Sequence, residues 1–186
     1  MEKCEEKIMS VKNELDSFFD RFLKKYQQTS SGLPMCPRNK NINQTIYVGE
    51  SGTDGWCKWK PVPCFQTKDF ICLLDKYGIE RNINIIEYFT SYYFLVMHIQ
   101  FKKHLIGINA VESKDDYKGL QRRIDSYVDQ NGKITHILLG IEERTGYTVV
   151  VEVKTGIVKY VDDDKGKMRK IASSLEEFIK GWKPVV

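Results

Sequence analysis

From Glu5 to Gln28 apolar residues return every three or four positions, at Ile8, Val11, Leu15, Phe18, Phe22 and Tyr26. That spacing predicts an amphipathic helix over 5–28, with Phe19 and Leu23 widening the stripe and Lys12, Glu14, Asp16, Asp20, Lys24 and Lys25 on the wet side. The wet side is mixed in sign, so the helix is expected to pack on the rest of the chain and not on a membrane surface. Residues 29–45, with Ser30, Ser31, Gly32, Pro34 and Pro37, read as an irregular connector. Ile46 to Val48 reads as a short strand, Glu50 to Gly55 as a turn, and Trp56 to Pro63 as an extended edge segment where proline costs no ladder bond. Two short helices follow, Thr67 to Tyr77, stopped by Gly78, and Ile83 to Ser91.

The period then changes to two. Tyr92 to Lys102 and Leu105 to Val111 predict a strand hairpin, and Ser113 to Asp129 returns to helix, with Leu120 and Ile124 on its apolar side and Ser113 as its cap. Ile134 to Val161 reads as a three-stranded meander around which the fold is organised. Its first strand, Ile134 to Ile141, is nearly all apolar, as in a strand covered on both faces. Its second puts Tyr147, Val149, Val151 and Val153 on one side, and both turns contain a Gly, Gly146 and Gly156, that tolerates positive φ. Asp162 to Lys170 is expected to be a charged loop. Ser174-Leu175-Glu176-Glu177 is a capping box opening a last helix over 174–183, with Leu175, Phe178, Ile179 and Trp182 buried and Pro184 closing it. No internal repeat or low-complexity tract stands out. The expected fold is one α+β domain over 1–186, with a central antiparallel sheet flanked by helices.

Composition supports a folded chain: of 186 residues, 41% are hydrophobic and 29% charged. Basic residues number 29 and acidic 25, a net charge of +4 without a basic tail, so nucleic acid is not an expected partner. The opening MEKCEEKIMSVKNE has acids where a secretory signal needs a basic start and an apolar core, and the longest apolar run, Tyr92 to Met97, is far below the roughly 20 residues of a bilayer span. The expectation is a cytoplasmic protein without membrane insertion, for which peripheral contact with the inner face of the membrane is compatible.

The usual chemistry is missing. Cys4, Cys36, Cys57, Cys64 and Cys72 contain no close pair, and a Cys57/Cys64/Cys72 metal cluster lacks a fourth ligand at a recognised spacing. His98, His104 and His136 form neither HExxH nor HxH, and there is no GxSxG, GKS or GxGxxG. Glu142 and Glu143 are adjacent on a strand and so face opposite ways. No catalytic residue, metal or cofactor is assigned.

The order of several short motifs carries a resemblance. Trp59-Lys60-Pro61, Tyr88 to Ser91, Met97 to Phe101, Ser113 to Tyr117, Gly140 to Glu143, Thr155 to Val158, Ala172 to Phe178 and Trp182 to Pro184 resemble, in that order, the Syd proteins of the SUKH superfamily. The resemblance implies an α+β fold and a binding protein, not an enzyme. It implies one of two partners: a cognate polymorphic toxin domain, neutralised by an immunity protein, or the cytosolic loops of the SecY translocon. The toxin reading leads, and an unrecognised enzyme is the alternative of another class. Asp115, Asp116, Glu142, Glu143 and the aromatic Trp59 are the expected partner contacts, the acids facing a basic partner surface.

Overall fold

The computed structural model describes residues 10–64, 67–112, 118–124, 127–128 and 130–186. Helix α1 (Val11–Tyr26) starts at Ser10, whose hydroxyl accepts from the Asn13 N–H at 3.2 Å, and buries Val11, Leu15, Phe18, Phe19 and Phe22. The part of the expected helix at 5–9 lies outside the described residues, as do the Ser113 cap and the first turn of the helix read over 113–129.

A small sheet follows. β1 (Met35–Pro37), β2 (Tyr47–Val48) and β3 (Trp56–Trp59) lie in the order β1-β3-β2. So β3, read as part of an edge, is the middle strand. Pro61 and Pro63 fall beyond it and break none of its bonds; Pro63 instead belongs to β4 (Val62–Pro63), paired with β5 (Tyr92–Tyr93). Between these come α2 (Thr67–Lys76) and α3 (Ile83–Ser91). α2 ends at Gly78, φ +60°, where the Ile79 N–H reaches back to the Leu74 carbonyl at 2.9 Å, the bond a helix-terminating glycine permits.

The main sheet has seven strands in the order β11-β10-β9-β8-β7-β6-β12, each antiparallel to its neighbours. They are β6 (Met97–Phe101), β7 (His104–Ile108), β8 (His136–Glu142), β9 (Thr148–Glu152), β10 (Val158–Asp162), β11 (Lys167–Ala172) and β12 (Trp182–Pro184). This is the α+β single domain the sequence predicts. α4 (Lys118–Ile124) lies beside β8 and α5 (Leu175–Lys180) beside β11. α1, α3 and α5 gather on one face, against Ile99, Phe101, Ile106, Ile108, Val149, Val151 and Val158, all buried. Call this the packed face.

Two expectations at the carboxyl end change. Asp162 to Lys170 is not a loop: β10 runs to Asp162 and β11 begins at Lys167. Residues 167–170 are all exposed, so no apolar alternation marks the strand; the free edge of β10 makes it. Trp182 lies beyond the last helix, in β12, opposite Phe101. The cap also differs in detail: Ser174 accepts from the Glu177 N–H, while the Glu177 carboxylate accepts from the Ser173 N–H at 2.7 Å, one residue before the cap.

The meander contains a repeat that the sequence reading passes over. Glu142, Glu152 and Asp162 stand ten residues apart, each four before a glycine, Gly146, Gly156 and Gly166, with φ of +72°, +74° and +61°. Each acid closes its own turn. Glu142 accepts from the Thr145 hydroxyl at 2.6 Å, Glu152 from the Thr155 hydroxyl, and Asp162 from the Lys165 N–H at 3.3 Å. A five-residue strand and a five-residue turn set the period.

Candidate protein-binding surface

The face of the sheet away from α1, α3 and α5 is built from alternate residues of the same strands. Across it runs the row His98, Gly107, Ile141, Thr148, Val161 and Met168, fixed by the register of β6 through β11; Val161 in this row is buried, as are Val150 and His136 on the same side, so the face is open chiefly around Ile141 and at its edges. β8 is the fourth of seven strands, yet its Ile141 is 45% exposed, and Met168 on β11 is 49% exposed. An apolar side chain left open in the middle strand of a sheet is informative in a way that scattered surface apolar residues are not. Polar groups frame it. His98 Nε2 lies 2.8 Å from Glu143 Oε1, and the Thr148 hydroxyl meets both the Tyr127 hydroxyl at 2.8 Å and Asp163 at 3.2 Å.

The expected contact residues divide. Glu143 is exposed and on this open face. Glu142 is 2% exposed and turned to the packed face, and Trp59 is 2% exposed against the ring of Phe22, centroids 5.9 Å apart. Neither side chain is a surface group, which corrects the expectation for both. Asp115 and Asp116 lie outside the described residues. Ile141 was missed, because 134–141 reads as a strand covered on both faces. The signal was present: counting back two from Glu143 puts Ile141 on the same side.

On the packed face, past the helices, a cavity of about 440 Å³ is lined by His104, Tyr147, Tyr160, Asp162, Lys167 and Arg169 among others. Glu142 lies behind it. Its Oε2 accepts from the N–H groups of Arg144 and Thr145 and from the Thr145 hydroxyl, and Oε1 lies 3.5 Å from His104 Nδ1. Burial alone would raise the Glu142 carboxyl, but the Thr145 hydrogen bonds and His104 outweigh it and leave the pKa below the ordinary carboxylate value. Desolvation, with Glu142 nearby, pushes the Tyr160 phenol far above its usual value, so it remains a donor; its buried hydroxyl has no partner among the described residues.

A group with a lowered folded pKa contributes stability above its unfolded pKa and loses it as pH falls through the folded one. Glu142→Gln should therefore lower stability at neutral pH by about 1–2 kcal/mol. The gap to the parent should close as pH falls below the ordinary value of 4.5. Urea midpoints measured against pH check this; a gap that stays constant through the acid range would show that the carboxylate charge is not what holds the turn.

The Syd protein (SUKH-2) family model matches residues 12–184. The chain belongs to the Syd family. No curated protein matches it. The matched span takes in every helix and strand of this Syd-family fold from α1 to β12, including the whole open face and the cavity beneath the meander turns. Among the described residues, no helix is long and apolar enough to cross a membrane.

Proposed function

We propose that this Syd-family chain is a protein-binding module that neutralises a cognate toxin domain by seating it on the open face of the main sheet. The observation that carries the reading is Ile141, 45% exposed near the end of the fourth of seven strands, with Met168 on the same row and the His98–Glu143 pair beside it. An apolar centre with a polar rim is the anatomy of an interface. Binding is favoured over catalysis by the state of the carboxylates on the packed face: Glu142 Oε2 is taken up by its own turn and Oε1 faces His104, and Asp162 is held by the Tyr147 side chain and Lys165. A general base needs a lone pair facing a substrate.

The test is co-expression with a toxin domain encoded beside it, read by cell survival and by the affinity of the purified pair. Ile141→Asp should weaken the complex by about 30-fold or more, as expected for a central anchor worth roughly 2 kcal/mol. Its thermal midpoint should hardly move, because the side chain is already half in water. Glu143→Lys should mainly slow association. If Ile141→Asp bound and protected as well as the parent, the open face would not be the contact surface. Capture by SecY-containing vesicles and by no toxin would replace the toxin reading with docking at the translocon.

A further inference from the structure

We infer that β11 is a second docking edge, onto which an acidic extended segment of a protein partner adds as an eighth strand, with one of its carboxylates entering the cavity beside Arg169. The inference rests on the reading of the chain as a protein-binding module and goes beyond it in naming a different surface and the partner's chemistry.

The edge is open and its register is known. The Glu152 N–H donates to the Ile157 carbonyl, which makes that pair a hydrogen-bonded one. Alternation from it turns the backbone groups of Val158, Tyr160 and Asp162 toward β11, which answers with those of Lys167 and Arg169. The N–H and C=O groups of Met168 and Lys170 then face outward. Residues 167–170 are all exposed, and β11 is the last strand in the sheet order. An unpaired edge of this kind is a template for another strand.

Charge selects the occupant. Lys165, Lys167, Arg169 and Lys170 crowd this edge, and among the described residues Lys167, Arg169 and Lys170 form no ion pair. Lys165 is 3.4 Å from Asp162. A second copy would set cation against cation, which disfavours self-pairing. Edge cations by themselves only keep like edges apart. The cavity is a separate observation. Tyr160, 5% exposed, carries a buried hydroxyl with no partner among the described residues, and Arg169 and Lys167 line the same space. Of the acids nearby, Glu142 accepts from the N–H groups of Arg144 and Thr145, Asp162 is held by Lys165 and Tyr147, Asp163 accepts from Thr148 and Glu177 from Ser173, while Asp164 stands exposed in the turn. Asp163 and Asp164 are not part of the cavity lining, where Tyr160, Lys167 and Arg169 offer donors, and a carboxylate is the acceptor that suits them.

The test uses the full chain and a labelled hexapeptide of alternating Glu and Val, titrated at low salt by fluorescence anisotropy, with amide NMR to locate it. The expected result is binding that shifts the amides of 167–170, falls about tenfold when Glu is replaced by Gln, and weakens with added salt. Arg169→Glu should abolish it, and N-methylation of the peptide's edge-facing amides should do the same. Tyr160→Phe should weaken the Glu peptide and leave the Gln peptide unchanged; an equal effect on both removes the cavity from the proposal. The inference is overturned if the Gln peptide or a Lys–Val peptide binds equally well, if the shifted amides lie on the open face, or if nothing binds at millimolar peptide. Ile141→Asp should keep full peptide binding. The two surfaces therefore fail separately: loss of the toxin contact at Ile141 leaves the edge intact, and a silent edge leaves the Ile141 result standing.

Discussion

Gly140→Ala is expected to cost roughly 3 kcal/mol or more, a large share of the about 5–15 kcal/mol that holds an ordinary domain together. A Cβ built at Gly140 would lie 2.3 Å from the Gly107 carbonyl oxygen and 3.2 Å from both Gly107 C and Ile108 Cα. These are backbone atoms of the neighbouring central strand and have no rotamer to escape into. The position also adjoins the register shift in β8 between Leu138 and Gly140, where the strand bends over the core. Gly107 is the internal control. It sits on the open face, where a Cβ would find nothing nearer than Glu143 Oε1 at 3.7 Å, so Gly107→Ala should stay within about 0.5 kcal/mol of the parent. Urea midpoints of the two variants decide the matter. Similar midpoints would mean that the sheet can part at Gly140, and that the close approach of β7 to β8 is not a fixed feature of the fold.

That contrast also shows what the sequence could reveal. The α1 stripe, the two helices at 67–91 and the three meander strands announce themselves through periods of 3.6 and 2, because each buries one face against a large apolar surface. β11 does not, since its first four residues bury nothing and it exists through the hydrogen bonds β10 offers. Trp182 was read one element too early for a similar reason: Gly181 allows the chain to pass from α5 straight into β12, and three residues are too few to show a period. The acidic contact surface was partly legible. Parity along β8 separates Glu142 from Glu143, but which of them faces water depends on where the helices pack. Trp59 and Glu142 look like surface groups in a polar neighbourhood; their burial follows from the third dimension, Trp59 under α1 and Glu142 under its own turn. The ten-residue repeat was hidden because, within the turns, only an acid and a glycine recur in all three units, the threonine before the glycine being shared by the first two alone.

Trp182→Ala should be the costliest core truncation on the packed face, about 3–5 kcal/mol. The indole is 1% exposed and meets three helices edge-on: Phe18 of α1 at 5.1 Å, Phe178 of α5 at 5.5 Å and Tyr88 of α3 at 6.4 Å. Removing it opens a void where these elements converge, and rings gathered from separate elements have no common way to collapse. Trp182→Phe should cost only about 1–2 kcal/mol, since it keeps the ring contacts and deletes an indole N–H that is buried without a partner among the described residues. The strand itself has other ties: Arg21 donates to the Trp182 carbonyl at 3.2 Å and Lys25 to the Pro184 carbonyl at 2.8 Å. β12 should thus remain in the sheet of the folded alanine variant, and the open face, on the other side of the strands, should keep its shape. Thermal melts with and without the bound partner separate the two roles. Trp182→Ala should melt early yet bind with parental affinity while folded, whereas Ile141→Asp should melt normally and bind poorly. Loss of affinity in well-folded Trp182→Ala would show that the packed face takes part in recognition directly.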